Sequence, residues 1–311
     1  MSQVKAITPP RNWLYAFWKF SRPHTIFGTS LSVLGLYTIA SSIISVPNSS
    51  LPVLGQLFGT LIACLCGNIY IVGLNQLQDI AIDKINKPHL PLASGEFSRR
   101  TGRLIVAITG VLALVISWFL GPFLFGMVFI SVAIGTAYSL PPIRLKRFPF
   151  WAALCIFSVR GTIVNLGLFL HFSWVLKQLQ SVPPPVWALT WFILVYTFAI
   201  AILKDVPDAP GDMQYNISTF TIRLGKETVF NLARGVLSVC YAGMILIGLL
   251  GISFLNPGFL IISHLMALSL LWFYSQKVDL NDQDSITSFY QFIWKLFFVE
   301  YFIFPIACIL G

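Results

Sequence analysis

The feature that most constrains the fold is a series of nine apolar windows, each about as long as a membrane span. A helix of roughly 20 apolar residues crosses the hydrocarbon core of a bilayer. Pro and Gly occur inside several windows, and a membrane bundle tolerates them because neighbouring helices satisfy the freed backbone groups. The windows lie at 24–46, 52–75, 103–121, 122–140, 150–172, 184–204, 229–252, 254–275 and 289–310. We therefore predict an all-α polytopic membrane protein with nine transmembrane helices.

The composition supports this prediction. The chain of 311 residues is 57% hydrophobic and only 10% charged, with a mean hydropathy of +0.81. Soluble domains carry about 25% charged residues. We divide the chain into an N-terminal segment, 1–23, and a single transmembrane domain, 24–311.

The Lys and Arg residues are distributed unequally between the two sides of the predicted bundle. Seventeen of the twenty lie in the N-terminal tail or in connections on the same side, and Lys177 alone lies on the other side. Arg160 and Lys295 fall within windows. This asymmetry predicts a cytoplasmic N-terminus and a C-terminus across the membrane. Because the basic residues follow topology, the net charge of +9 does not favour nucleic-acid binding.

The N-terminal segment has no signal-peptide pattern and is short for an organelle transit peptide. This favours a prokaryotic protein or a mature organellar one.

Two acidic clusters follow apolar windows on the predicted cytoplasmic side. The first acidic cluster is Asn75, Asp79 and Asp83, and the second is Asp205, Asp208 and Asp212. Spacings of four residues in the first cluster, and of three and four in the second, predict one helical face for each if its helix persists. Pro207 and Pro210 make a broken helix end or a turn an alternative for the second cluster. In either case the carboxylates are expected to converge.

Such a concentration of carboxylates predicts a bound cation. Like charges repel each other, and the C-terminus of a helix already carries partial negative charge. Neither cluster contains His or Cys. Ligands that are all oxygen select a hard cation such as Mg²⁺, which commonly bridges protein carboxylates to substrate phosphates.

Two other interpretations of the clusters are open. Asp beside Pro and Gly is ordinary turn chemistry in a polar loop, but turns would not explain the helical spacing or Asn75 within its apolar window. Carboxylates near spans are also typical of cation-coupled transporters. That interpretation is less favoured because the acidic groups lie at one surface and not at the midplane.

Basic and polar residues near the clusters complete a potential phosphate site. Arg and Lys facing a magnesium-bound diphosphate would neutralise it as a leaving group. The candidates for diphosphate binding are Arg22, Asn75, Tyr138, Arg144, Lys146, Arg160 and Lys204. For Lys84 and Arg147, a purely topological role is equally well supported.

Three segments of the chain resemble a known family. Residues 73–88, 138–142 and 204–212 resemble the paired aspartate motifs of UbiA-type intramembrane aromatic prenyltransferases. The resemblance extends over the whole chain, including the nine helices. It implies a bundle in which the two motifs face each other across a central cavity that is capped by cytoplasmic loops and open laterally to lipid.

Within that family, residues 21–25, 85–95 and 289–298 resemble the homogentisate branch of cyanobacteria. Many other members carry Arg directly before the Pro-Leu pair, whereas this chain has Leu90. The departure favours homogentisate as the acceptor over 4-hydroxybenzoate. The resemblance also implies a plasma or thylakoid membrane, with the active site facing the cytoplasm.

The resemblance implies specific chemistry for the clusters. Asp79 and Asp83 on one side, and Asp208 and Asp212 on the other, would be the catalytic residues that hold Mg²⁺, with Asn75 and Asp205 as further ligands or supporting groups. Phytyl diphosphate would ionise to a cation-like prenyl group, shielded from water by the cavity. Homogentisate would attack it and lose carbon dioxide, giving 2-methyl-6-phytylbenzoquinol of tocopherol biosynthesis.

Several points stay open at this stage. A solanesyl or geranylgeranyl donor, or another ring acceptor, is an alternative because periodicity does not give cavity depth. Beyond these substrates and membrane lipid, no protein partner is inferred. Arg160 is expected to face the cavity, toward the diphosphate or the homogentisate carboxylate, or to form a structural ion pair. Lys295 is expected to extend toward the membrane surface, and His24 is a weaker candidate for substrate contact.

Overall fold

The protein folds entirely through helices in the ranges that the computed structural model describes, residues 12–44, 51–176, 181–215 and 218–311. The elements are α1 (Trp13–Phe20), α2 (Pro23–Ile44), α3 (Leu51–Gln78), α4 (Ile80–Asn86), α5 (Pro91–Ser94), α6 (Arg99–Leu120), α7 (Pro122–Ser139), a 3-10 turn (Leu145–Arg147), α8 (Pro149–Phe157), a π-helical turn (Ser158–Ile163), α9 (Val164–Val175), α10 (Pro184–Leu203), α11 (Asp205–Gln214), α12 (Phe220–Leu224), α13 (Lys226–Leu250), α14 (Pro257–Ser275) and α15 (Gln283–Ile309).

The prediction of nine spanning helices is confirmed for the described ranges. One span joins α8, the π-helical turn and α9, and another runs from α10 into α11. Helices α13 and α15 begin before their predicted windows, at Lys226 and Gln283. The difference arises because the first turn of each helix is polar, and apolar windows detect only the part that lies in hydrocarbon. Lys177, which contributed to the predicted topology, lies outside the described residues.

Helix α1 was not predicted and lies within the expected N-terminal segment, of which residues 1–11 are outside the described ranges. The Asn12 side chain accepts a hydrogen bond from the Tyr15 backbone N–H (3.1 Å) and so caps the helix. Phe20 is fully buried and its ring lies 5.9 Å from that of Phe97. The outer face exposes Trp13, Leu14, Tyr15 and Trp18. Exposed aromatic and apolar residues on a short helix are typical of a membrane interface.

Six spans surround a central space, and the other three pack behind them. Around the space α2 contacts α3, α3 contacts α7, α7 contacts α9, the π-helical turn contacts α10, α10 contacts α15, and α15 contacts α2. Helix α6 packs outside α3 and α7, while α13 and α14 pack outside α10 and α15. Both acidic clusters lie at one end of this bundle, which we call the acidic end.

The far end of the central space is closed by the packing of α2 against α9. The rings of Tyr37 and Phe172 lie 5.3 Å apart, and Leu36 and Phe169 are fully buried. The residues that line the central space on these two helices end at Val33 and Leu168, so the space extends from the acidic end and stops within the bundle.

A buried polar pair joins α14 to α15 away from that space. His264 Nε2 lies 3.0 Å from Glu300 Oε1, and both side chains are almost completely buried. The second ring nitrogen, Nδ1, lies 2.7 Å from the Leu260 carbonyl oxygen. A paired polar contact in the interior of a membrane bundle stabilises helix association, and we assign this pair that role.

Candidate active site

A cavity of about 930 Å³ runs from the acidic end into the apolar interior. Eleven of the twelve predicted site residues line it, namely Arg22, Asn75, Asp79, Asp83, Tyr138, Lys146, Arg160, Lys204, Asp205, Asp208 and Asp212. The twelfth, Arg144, contacts the carboxylate of Asp79 (3.2 Å) and does not line the cavity. The structure thus brings together residues from five separate parts of the sequence.

The first acidic cluster lies where a helix changes direction. Asp79 separates α3 from α4 with φ −110° and ψ 13°. Its backbone N–H still donates to the Asn75 carbonyl (3.0 Å), and the Asp83 N–H donates to the Asp79 carbonyl (2.7 Å). The helix does not persist unbroken through this cluster, because α3 ends at Gln78 and α4 begins at Ile80. The four-residue spacing is kept by hydrogen bonds across a kink and not by a straight helical face.

Two cations neutralise Asp79 from the segment between α7 and α8. Arg144 Nη2 and Lys146 Nζ both contact Asp79 Oδ1. On the other oxygen, Oδ2 accepts a hydrogen bond from Asn75 Nδ2 (3.0 Å). Arg144 has φ +40°, in the left-handed region that non-glycine residues avoid. Such strained backbone often occurs at functional sites.

Asp83 is neutralised less completely. Its side chain is buried, and Oδ2 has no hydrogen-bond partner in the described structure. Burial raises the pKa of the Asp83 carboxyl to about 6, although the positive charges of Arg22 and Lys87 act to lower it. Arg22, which also has a positive φ (+52°), carries a buried Nε without a partner. Asp83 therefore offers an acceptor oxygen that a cation would satisfy.

The second acidic cluster lies on helix α11 and not in a turn. Pro207 falls in its first turn, where a backbone N–H has no partner within the helix, so proline costs little there. Lys204 Nζ pairs with Asp205 Oδ1 (3.0 Å). Burial, together with repulsion from Asp205 and Asp208, raises the pKa of Asp212 to about 7.

Short helices bring the two clusters face to face. Helix α4 packs against α11, and Lys87 Nζ, just after α4, pairs with Asp208 Oδ2. Gln283 Nε2 donates to the Pro207 carbonyl (2.9 Å), which ties α11 to α15. Lys87 was not among the predicted site residues. Its position four residues after Asp83 is the signal that could have identified it.

The donor set fits Mg²⁺ better than a transition metal. In the described ranges, no three His, Cys, Asp or Glu side chains lie close enough together to hold one ion. Mg²⁺ usually takes only one or two protein carboxylates and completes its shell with water and substrate phosphate. Burial raises the pKa values of Asp83 and Asp212 despite nearby positive charges, and Oδ2 of Asp83 has no hydrogen-bond partner, so these carboxylates can accept a further cation. Residues of both clusters therefore fit the metal.

Below the clusters the cavity walls become apolar. The deepest lining residues include Val33, Met127 and Leu168. Arg160 and His24 line the wall between α2, α15 and the π-helical turn. Lys295 is exposed and does not line the cavity. Its extension toward the membrane surface stays a prediction.

The cavity also contains polar residues that were not predicted. Asn68 lines it in the second half of α3, and its Nδ2 donates to Thr25 Oγ1 (2.9 Å). A second Asn within the same apolar window as Asn75 is the sequence signal for this contact.

Comparison with known proteins identifies the fold and the family. Residues 33–296 match the UbiA prenyltransferase family. Homogentisate phytyltransferase of Synechocystis sp. is 54% identical over 296 residues, which cover 94% of this chain and 96% of that protein. Homogentisate phytyltransferase 1 of Arabidopsis thaliana is 40% identical over 300 residues, covering 95% of this chain and 76% of that protein.

A solved structure has the same architecture. The UbiA homologue of Archaeoglobus fulgidus bound to GPP and Mg²⁺ superposes with a TM-score of 0.65 at 18% identity, over 95% of this chain and all of that chain. At this identity the likeness concerns the fold alone.

Proposed function

Because the chain belongs to the UbiA prenyltransferase family, we propose that it transfers the phytyl group of phytyl diphosphate to homogentisate in a Mg²⁺-dependent reaction. The observation that carries this proposal is the meeting of two acidic clusters at the entrance of an apolar cavity. The similarity to homogentisate phytyltransferases supports the choice of donor and acceptor.

The acidic end would bind the diphosphate. Asp79, Asp83, Asp208 and Asp212 would hold Mg²⁺, with Asn75 and Asp205 as further ligands or as supports. When bound, Mg²⁺ neutralises the charge of the diphosphate and so makes it a better leaving group. The Mg²⁺ and GPP bound by the Archaeoglobus homologue support this use of the site.

The cations of the site would contact the diphosphate directly. The candidates that line the cavity are Arg22, Lys146 and Lys204, with Tyr138 as a further hydrogen-bond donor. Arg144, which does not line it, would act through its contact with Asp79. Lys146 now contacts Asp79, and Lys204 contacts Asp205. A lysine side chain has a flexible four-carbon stem, so both ammonium groups could turn from carboxylate to phosphate within the cavity. Their positive charge would stabilise the departing diphosphate.

The apolar part of the cavity would hold the prenyl chain and exclude water. Loss of diphosphate leaves a cation-like allylic carbon, which water would consume if it could reach it. The closed far end, with Tyr37 against Phe172, limits that access. The ring of the acceptor is then the available nucleophile.

The proposed reaction balances. The bond from the allylic carbon to the diphosphate oxygen breaks, and a bond from that carbon to a ring carbon forms. The ring loses one proton, and one proton replaces the carboxylate that leaves as carbon dioxide. The products are 2-methyl-6-phytylbenzoquinol, carbon dioxide and diphosphate.

We also propose that the acidic end faces the cytoplasm of a cyanobacterial cell, in the plasma or thylakoid membrane. The excess of Lys and Arg on that side supports the orientation. The similarity to the Synechocystis protein supports the proposal of a cyanobacterial membrane.

The test is product analysis by mass spectrometry. Membranes containing the protein receive Mg²⁺, homogentisate and an equimolar mixture of phytyl, geranylgeranyl and solanesyl diphosphates, with EDTA in a parallel sample. We expect a decarboxylated phytyl quinol that disappears with EDTA. A product with a longer prenyl chain would show that the protein uses another donor and not phytyl diphosphate. Reaction with 4-hydroxybenzoate but not with homogentisate would overturn the proposed acceptor.

A further inference from the structure

We infer that Arg160 binds the carboxylate of the aromatic acceptor, in a subsite formed by the π-helical turn, Gly28 and Trp294. The inference rests on the proposed function, because it assigns a binding residue to the second substrate of that reaction. It starts from a guanidinium group that lies deep in the protein and has no anionic partner.

All eleven acidic residues lie in the described part of the chain, and none forms an ion pair with Arg160. The structural ion pair considered from the sequence is therefore wrong. The contacts of the guanidinium are aromatic: its Cζ lies 5.3 Å from the ring centroid of Trp294 and 5.6 Å from that of Phe297. A cation–π contact offsets only part of the hydration free energy that a buried guanidinium loses. Arg160 also lines the cavity, so a ligand anion can reach it.

The backbone around Arg160 is held at the cavity wall by buried hydrogen bonds. Residues 158–163 form a π-helical turn, and such turns occur frequently at functional sites. Asn165 Nδ2 donates to the Gly161 carbonyl (2.7 Å), and Tyr301 Oη donates to Asn165 Oδ1 (2.9 Å). These buried hydrogen bonds hold the turn in position at the cavity wall.

Gly28 leaves the space that the guanidinium occupies. A Cβ atom at this position would lie 2.9 Å from Arg160 Nη1. Any larger residue on this face of α2 would therefore move the guanidinium. The observed position of the Arg160 guanidinium therefore depends on a glycine at position 28.

The surroundings favour the acceptor over the diphosphate. Arg160 makes its contacts with aromatic rings, whereas Lys87 and Lys146 contact carboxylates of the acidic clusters. His24 follows Arg22 by two residues, and its ring lies next to Trp294, the indole on which Arg160 packs. The guanidinium of Arg160 therefore lies on the aromatic part of the wall and outside the ion pairs of the acidic clusters.

The space next to His24 is suited to such a ring. The imidazole of His24 and the indole of Trp294 lie 4.9 Å apart, which gives the wall an aromatic surface. Aromatic rings pack favourably on such surfaces. The planar guanidinium of arginine matches a carboxylate with two parallel hydrogen bonds. A ring that carries a carboxylate on a short arm would fill the subsite, with its other edge toward the allylic carbon.

The experiment measures KM for each substrate separately in purified protein. We compare the unchanged protein with Arg160→Gln, Arg160→Lys and Gly28→Ala. We expect Arg160→Gln to raise KM for homogentisate by roughly 30-fold or more, as expected for loss of one partner of a buried charge pair, and to change KM for phytyl diphosphate by less than about threefold. Arg160→Lys keeps the charge, so its KM for homogentisate should lie between those of the unchanged protein and Arg160→Gln.

The second arm removes the carboxylate from the ligand and not the arginine from the protein. The probe is 2-methylhydroquinone, which has the ring of the acceptor without its acid. We expect the unchanged protein to prefer homogentisate, and Arg160→Gln to reduce that preference to within about threefold, because only the carboxylate contact is lost. Arg234→Gln is the matched control, since Arg234 also lies over an indole, Trp272 (4.6 Å), but outside the cavity.

Gly28→Ala keeps the inference testable if Arg160 variants do not fold. The added methyl group would meet only the mobile tip of the arginine at close range, so we expect normal folding. We expect KM for homogentisate to rise by about fivefold or more, because a displaced guanidinium forms weaker hydrogen bonds to the carboxylate. A larger KM increase for phytyl diphosphate than for homogentisate, in either Gly28→Ala or Arg160→Gln, would overturn the inference.

Failure of the proposed function can be distinguished from failure of this inference. If the protein instead prenylates 4-hydroxybenzoate and Arg160→Gln raises KM for that acid, the acceptor was wrong and the role of Arg160 is supported. If the preferred acceptor carries no carboxylate, the inference is overturned while prenyl transfer stands.

Discussion

Asp79 and Asp83 lie four residues apart and differ in what neutralises them. Asp79 contacts Arg144, Lys146 and Asn75, whereas Asp83 leaves Oδ2 buried and unpaired. A carboxylate in an ion pair contributes to stability, and removal of it leaves its cations unpaired. A buried carboxylate without a partner instead costs stability, and is kept for function.

We therefore expect opposite effects on stability from two similar variants. Asp79→Asn should lower the apparent melting temperature by on the order of 5 °C, because Lys146 and Arg144 lose their counter-charge. Asp83→Asn should leave the melting temperature unchanged or raise it, because a buried charge is removed. The measurement is thermal unfolding of both purified variants in the same detergent without Mg²⁺. A larger loss of stability in Asp83→Asn than in Asp79→Asn would show that we have misassigned the pairing.

At the scale of elements, the π-helical turn packs against α10 more closely than a side chain permits. A Cβ atom on Gly161 would lie 2.4 Å from the Leu194 Cα, which is backbone and cannot rotate away. The turn and α10 must then separate, which opens the wall that carries Arg160.

We expect Gly161→Ala to destabilise the protein by about 1–3 kcal/mol, the usual cost of overpacking. Gly126→Ala is the matched control, because nothing lies within 4 Å of a Cβ at that glycine in α7. The measurement is the fraction of folded protein after heating, followed by size-exclusion chromatography. Equal stability of the two variants would contradict the close packing.

The sequence predicts the number of long helices correctly because each one crosses an apolar solvent and must be apolar along its length. It does not predict the kink at Asp79, since a spacing of four residues is equally compatible with a straight helix and with two helices joined by one residue. The sequence also does not predict the π-helical turn, because Ser158–Ile163 lies inside an apolar window. The short helix α1 was missed because its exposed apolar face resembles neither a span nor a soluble helix.

At the scale of the whole molecule, the depth of the cavity limits the donor. Val33, Met127 and Leu168 form its deepest lining, and the packing of α2 on α9 closes the space beyond them. A solanesyl chain is more than twice as long as a phytyl chain. It cannot extend through this floor without displacing side chains.

We expect solanesyl diphosphate to be used at least about tenfold less efficiently than phytyl diphosphate. Met127→Ala, which shortens a side chain of the floor, should reduce this difference, while Val115→Ala on the exposed face of α6 should not. The measurement is kcat/KM for both donors with each protein. A preference for solanesyl diphosphate in the unchanged protein would contradict a floor at this depth.

The orientation of the molecule is testable with single cysteines. Asn281→Cys lies at the acidic end between α14 and α15, and Ser253→Cys lies at the opposite end between α13 and α14, both in exposed positions. In intact cells we expect a membrane-impermeant maleimide to label Ser253→Cys and to label Asn281→Cys only after lysis. The unchanged protein is the control for its five native cysteines. The reverse labelling pattern would contradict a cytoplasmic acidic end.

Long-range pairings are what the sequence could not supply at this scale. Lys87 and Asp208 are 121 residues apart in the chain, and their contact depends on how α4 meets α11. The surroundings of Arg160 depend likewise on Gly28 and Trp294 from two distant helices. Spacing along one helix identifies which residues share a face, but it does not identify which helix that face meets.

The most direct test of the account is the amount of phytylated, decarboxylated quinol that purified protein forms in liposomes as Mg²⁺ is titrated. The comparison is between the unchanged protein, Asp83→Asn from the first acidic cluster, Asp212→Asn from the second, and Glu227→Gln, an exposed acid outside the cavity. We expect product only with Mg²⁺, a loss of roughly 100-fold or more in each aspartate variant, and no change in Glu227→Gln. Product without a divalent cation, or full activity after the loss of either cluster's carboxylate, would contradict joint action of the two clusters on one diphosphate.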